Sequence, residues 1–157
     1  MKNALLIAIA LIMGMQISHA QKGKVLVERN GKVGIGTSQP DELLTVKGVI
    51  HTREVKVDMK GALAPDYVFE YFFDGQSDLN PAYTRIELSD LKDYLEENKH
   101  LPGIPSAKKL SDDGMMLREM NLKLLEKIEE LTLFTIEQQE QIDRLNKRLD
   151  KLQNDEK

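Results

Sequence analysis

The sequence has no cysteine and no tryptophan, and only 5% of its residues are aromatic. Without cysteine there is no disulfide scaffold, thiolate zinc site, thiol catalysis or lipid attachment at a thiol. Basic residues are not in excess. Lys and Arg number 22 against 26 Asp and Glu, a formal net charge of -4. Phosphate contacts need a basic surface, so nucleic acid is not an expected partner. Long apolar runs are scarce as well. The run Ala4 to Met13 falls short of the roughly 20 residues that cross a bilayer. Lys2 precedes it, and Ser18 and Ala20 place small residues where a signal peptidase reads. Residues 1–20 are therefore expected to be a signal peptide. The mature chain should start at Gln21, lack a membrane span and reside in the periplasm, at the cell surface or outside the cell. Export normally means an oxidising compartment. With no disulfides to use there, stability has to come from packing or assembly.

What is present fits one or two small domains. The chain has 157 residues, 41% of them hydrophobic and 31% charged. The expected fold class is α+β, in three zones after the signal peptide. Zone 21–60 reads as a short β-strand shaft repeat. Val25 and Val27 alternate with polar neighbours, and Asn30-Gly31 favours the left-handed dihedrals of a two-residue hairpin. Val33 and Ile35 alternate with Gly34 and Gly36, which lets another backbone approach closely. Leu44 and Val46 resume the alternation, and Val49 to Met59 continues it with Val55, Val57 and Met59 on one face. Such short, thinly apolar strands bury little alone. Zone 61–114 is a small mixed cap holding seven aromatics: Tyr67, Phe69, Tyr71, Phe72, Phe73, Tyr83 and Tyr94. Rings this dense predict a small core. Ser89 is the expected N-cap of a short helix with Leu91, Tyr94 and Leu95 on one face. Lys99 and His100 suit its C-terminus, and Pro102, Gly103 and Pro105 end it.

Zone 115–157 predicts one long helix. Leu124, Ile128, Leu131, Thr135, Gln138, Ile142, Leu145, Leu149 and Leu152 keep a strict 4-3 spacing, a coiled-coil seam of four heptads and the expected oligomerisation residues. A helix from Leu117 to Gln153 would be roughly 55 Å long. Ile128 and Ile142 at position a with mostly Leu at d favour two strands, while Thr135 and Gln138 are polar layers that weaken that preference. Leu125, Leu133 and Phe134 widen the apolar face, as three helices or packing on the cap would require.

Chemistry-bearing patterns are thin. His51 and His100 have no ligand partner at helical or hairpin spacing, so no metal or cofactor is expected. Asp74, Gln76, Asp78 and Asn80 alternate like the start of a calcium loop, but Leu79 replaces its glycine and Arg85 its final glutamate. They read as an exposed acidic turn. Gly34-Ile35-Gly36-Thr37 lacks the following Gly-Lys-Ser/Thr of a phosphate loop. Ser38, Ser89, Ser106 and Ser111 have no recognisable nucleophile setting. The Glu and Lys runs near the end read as a solvated coil face. No acid, base and oxyanion groups assemble, so the chain is expected not to be an enzyme.

The residues Gly31-Lys32-Val33-Gly34-Ile35-Gly36-Thr37-Ser38-Gln39-Pro40, followed by Leu44-Thr45-Val46-Lys47-Gly48, resemble the GxVGIGTxxP…LxVxG repeat of phage tail-fibre and adhesin-like shafts. Arg53-Glu54-Val55-Lys56-Val57 resembles the strand after it. The block Asn98-Lys99-His100-Leu101-Pro102-Gly103-Ile104-Pro105-Ser106-Ala107, with Met120-Asn121 and Leu124 to Leu133, resembles the C-terminal module of exported tail-fibre-like proteins of Bacteroidetes. That layout is similar to the peptidase S74 intramolecular chaperone of phage tailspikes. The resemblance implies a trimeric β shaft, a small mixed domain and a terminal helical coil. In that family many members cut themselves at a Ser-Asp junction, helped by a downstream Lys. No Ser-Asp followed by Arg-x-x-Lys lies between shaft and cap here. Ser77-Asp78 and Ser89-Asp90 lie inside the cap, and Ser111-Asp112 at the coil.

The expectation is a non-enzymatic, exported fibre or adhesin-like end-module that self-associates as a homotrimer, in preference to a dimer. The alternatives are a self-cleaving chaperone of the tailspike kind, or a periplasmic coiled-coil scaffold for a cell-surface or envelope protein. N-terminal sequencing of the exported protein should read Gln21 first. Met1 retained in that pool would make the segment an anchor instead.

Overall fold

The computed structural model describes residues 25–155, so the expected signal peptide lies outside the described residues. The fold is α+β, as expected. It runs β1 (Leu26–Arg29), β2 (Lys32–Ile35), β3 (Leu44–Val46), α1 (Tyr67–Asp74), α2 (Leu88–Asn98), α3 (Ala107–Asp113) and α4 (Leu117–Asp155). Two compact units divide after Val55.

In the first unit β1 and β2 form an antiparallel hairpin with Arg29 opposite Lys32. Asn30 and Gly31 take φ of +53° and +74°, the left-handed turn that the dipeptide favours. β3 adds to β2 in parallel, with Gly34 opposite Thr45. Gly34 is buried, and a Cβ there would lie 2.5 Å from the Thr37 carbonyl oxygen, so only glycine lets the chain fold back at this point. Thr45 fixes the loop before β3. Its Oγ1 donates to Asp41 Oδ1 at 2.6 Å and accepts from the Asp41 and Glu42 amides, both at 3.1 Å. Among residues 25–55, only Gly34 and Thr45 are buried. Val25, Leu26, Leu43 and Leu44 are all more than half exposed. The sheet is held by backbone and polar side-chain bonds and has no apolar core of its own.

The strand expected over Val49 to Met59 does not form. The segment has no regular secondary structure, and Val49, Ile50, Val55, Val57 and Met59 are exposed. Alternation is a local property, but a strand needs a hydrogen-bonded neighbour, and the described residues provide none here.

The second unit is built around α4, whose 39 residues rise about 58 Å. The aromatic run Tyr67–Phe73 folds as α1, which ends where Gly75 takes φ +79° and its N–H reaches the Tyr71 carbonyl. Tyr67 and Val68 of α1 and Leu133 of α4 form the buried core, flanked by Phe69, Phe72 and Tyr83. Tyr83 stacks against Tyr67 at 5.0 Å and edge-on to Tyr71 at 5.4 Å. The aromatic-rich zone thus makes a small core, although Phe73 points away and is 73% exposed.

α2 carries Leu91, Tyr94 and Leu95 on its half-buried face, as the spacing predicts. Its N-cap is Glu87, and Ser89 lies inside the first turn with its hydroxyl on Asp90. The expected Ser89 cap is therefore corrected: Leu88 is already helical, so Ser89 is past the position where a side chain reaches the free amides. α3 is capped by Ser106, whose hydroxyl accepts from the Lys109 amide at 3.3 Å.

Leu133 is 1% exposed between α1 and α4. Leu133→Ala should lower unfolding free energy by about 2–5 kcal/mol in urea titrations at fixed protein concentration. Phe73→Ala, at an exposed ring, should change it by about 0.5 kcal/mol or less.

Candidate functional site

The heptad residues Leu124, Ile128, Leu131, Thr135, Gln138, Ile142, Leu145, Leu149 and Leu152 all fall within α4, where 4-3 spacing puts them on one face. Every one of them is exposed. The apolar members are 45–64% exposed, and the cap covers none of them fully. Thr135 adds no unmet donor to this stripe, because its hydroxyl donates to the Leu131 carbonyl of the same helix at 2.8 Å. From Gln138 to Asp155 every residue of α4 is exposed, on all sides.

The cap grips the opposite side of the helix. With the a positions at Ile128 and Thr135, the buried or half-buried residues Glu126, Glu129, Glu130, Leu133, Phe134 and Glu137 fall at b, c, f and g. All but Phe134, whose g position flanks the seam, are outer positions of a coil. Leu133 and Phe134, which widen the apolar stripe in sequence, belong to this grip. Leu125 alone of the three flanking residues stays open, at 41% exposure.

Arg85 is the pivot of the grip. Its guanidinium lies 4.2 Å from the Phe134 ring centroid and 5.4 Å from that of Phe72. Nη1 donates to Glu137 Oε1 at 2.8 Å, and Nη2 donates to the other oxygen of the same carboxylate. This two-bond contact raises the Arg85 pKa and holds the Glu137 carboxyl below its ordinary range. One turn and more towards the N-terminus, Tyr67 donates to Glu126 and Tyr83 donates to Glu130 at 3.1 Å. Lys127 reaches both carboxylates, at 2.7 Å and 2.9 Å. Burial works against the Lys127 charge, but Glu126 and Glu130 overcome it and raise its pKa. Burial, assisted by these carboxylates, also pushes both tyrosine hydroxyls far up.

The Glu and Lys run is therefore not wholly solvated, which corrects the sequence expectation: Glu129 and Glu130 are 6% and 7% exposed. The letters alone suggest a wet surface, and only the tyrosines from a distant segment make the site dry. No local pattern could have shown the pairing, though Leu133 and Phe134 outside the a and d positions are a visible sign that something covers them. Glu129 is the exception to the pairing, with Oε2 buried and without a partner.

The acidic turn after α1 is braced as well. Ser77 is 4% exposed; its hydroxyl donates to Glu70 and accepts from the Asn80 amide at 3.0 Å. The Ser77 bond, with the Leu79 amide, lowers the Glu70 pKa, so this carboxylate is a weak base. His51 belongs to the first unit and His100 to the second, where His100 sits edge-on to Tyr94 at 5.8 Å. Among the described residues no three His, Asp or Glu side chains are grouped to hold a metal, and no helix is long and apolar enough to cross a membrane.

Burial, with Asp66 and Glu126 nearby, raises the Glu129 pKa above its ordinary 4.5. The folded protein then binds this proton more tightly than the unfolded chain. The resulting stability is full below that ordinary value and is lost as pH rises through the folded one. Glu129→Gln should raise Tm near neutral pH and flatten the fall in Tm as pH rises above the ordinary 4.5. Calorimetry across that range checks both. Compared with known proteins, the chain matches no family model, no curated protein and no solved structure.

Proposed function

We propose that this chain is a non-enzymatic, exported end-module that self-associates through α4 into a parallel homotrimer and sets chain register for a fibre-like or adhesin-like assembly. The single observation behind this reading is the uncovered stripe Leu124 to Leu152. Seven large apolar residues along one helix face are 45–64% exposed. Burying such a stripe in a coil is the main driving force open to a helix this long.

The division of α4 supports the reading. The cap occupies positions outside the seam, so it does not compete with other helices for a and d. The flanking positions also tolerate identical neighbours. In a parallel, in-register coil the facing g and e residues are Lys127 with Thr132, Phe134 with Gln139, Gln141 with Asn146 and Arg148 with Gln153. No pair carries like charges. Trimer is preferred to dimer on the sequence resemblance, on the polar layers Thr135 and Gln138, and on the open flank Leu125. Phe134 no longer counts towards the third helix, since the cap takes it. Ser77 is engaged in bracing its turn, which favours assembly over self-cleavage at Ser77-Asp78.

Light scattering of residues 21–157 should give the mass of three chains. Replacing Leu131 and Leu145 together with Asp should reduce it to one, because each change places a charge in the seam at a cost of several kcal/mol. Glu140→Ala with Lys147→Ala should leave the mass unchanged. A two-chain mass would rule out the trimer, and an unchanged mass after the Asp changes would move the contact away from α4.

A further inference from the structure

An apolar groove of about 400 Å³ runs beside the stripe. One side is the stripe itself, through Leu124, Ile128 and Leu131. The other side is Leu88 and Leu91 of α2 with Leu101 of the connector that follows it. Lys127 and Phe134, both at g, line it too, so the groove lies along the g flank of α4. Leu88 and Leu101 are 46% and 40% exposed, too much apolar surface to belong to the core. On the opposite, e flank, Leu125 is likewise open.

We propose that a second copy of this chain fills the groove with the e flank of its own α4, centred on Thr132. α2 and Leu101 then belong to the assembly contact and clasp the neighbouring helix from outside the seam. This rests on the reading that α4 self-associates, and it adds a second contact to it. Three observations commit the groove to a copy of the chain. The groove shares Leu124, Ile128 and Leu131 with the stripe, so a helix that covers one covers the other. In a parallel coil the g flank of one helix faces the e flank of the next, which carries Thr132 and Gln139 to the groove beside Lys127 and Phe134. The e flank of Leu125, Thr132, Gln139, Asn146 and Gln153 has no charge, so it meets Lys127 and Phe134 without repulsion. In a closed ring each chain gives its e flank to one neighbour and its groove to the other, and no groove stays open.

Because the chain has no cysteine, introduced thiols report cleanly. Leu101→Cys and Thr132→Cys chains, distinguished by tag mass, are mixed, co-refolded and treated with a short bismaleimide. A mixed 101–132 adduct should form between chains. Leu101→Cys with Asp143→Cys, at an outer b position, should give none. Leu88→Glu should raise the dissociation constant about tenfold or more with the helical circular dichroism signal retained. An intact oligomer with no 101–132 adduct and no response to Leu88→Glu overturns the clasp and leaves self-association standing. A monomeric wild-type chain overturns both and gives the groove to a different protein.

Discussion

Arg85 lies between the rings of Phe72 and Phe134 while both of its terminal nitrogens reach Glu137. Three things follow from that one side chain. It ties the segment after α1 to the middle of α4. It closes one end of the core in which Leu133 meets Tyr67 and Val68. And it sets the rotation of α4, because Phe134 and Glu137 have to face the cap together. A guanidinium suits this place: planar enough to stack, forked enough for a carboxylate, and charged at any physiological pH. A lysine could meet only one of these demands at a time.

Once rotation is set, the rest of the helix surface is committed. Residues that face the cap are spaced so that the 4-3 stripe looks the other way. The tyrosine and lysine contacts to Glu126 and Glu130 reinforce the same orientation from a second level of the helix. Polar bonds, not apolar area, hold much of this contact, and the core proper is small. That combination gives a grip defined in angle more than by apolar area, with each such charge-assisted bond contributing about 1.5–3 kcal/mol net.

Features that depend on neighbours in sequence were legible before any coordinates. The Asn30-Gly31 turn, the start of α4 and the half-buried face of α2 follow from dihedral preference and period. Features that depend on distant contacts were not. Glu129 and Glu130 look solvated as letters, and their burial comes from Tyr67 and Tyr83, which lie about sixty and fifty residues away. Val49 to Met59 shows the reverse: a clear alternation with no partner strand beside it. The stripe was legible because a heptad is written in one helix alone. The groove was not, since its second wall comes from α2 and the connector.

The outer half of α4 leads somewhere further. From Gln138 to Asp155 every residue of the helix is exposed to solvent. Eighteen residues of mixed composition are close to the length at which an isolated helix in water is only marginally formed. The cap can nucleate this stretch but cannot hold it. In the proposed assembly its order would therefore read out how many chains are present. There, on dilution, the tip would unwind towards Gln138 while the gripped half stays helical, and subunits would part and exchange from the C-terminus inwards.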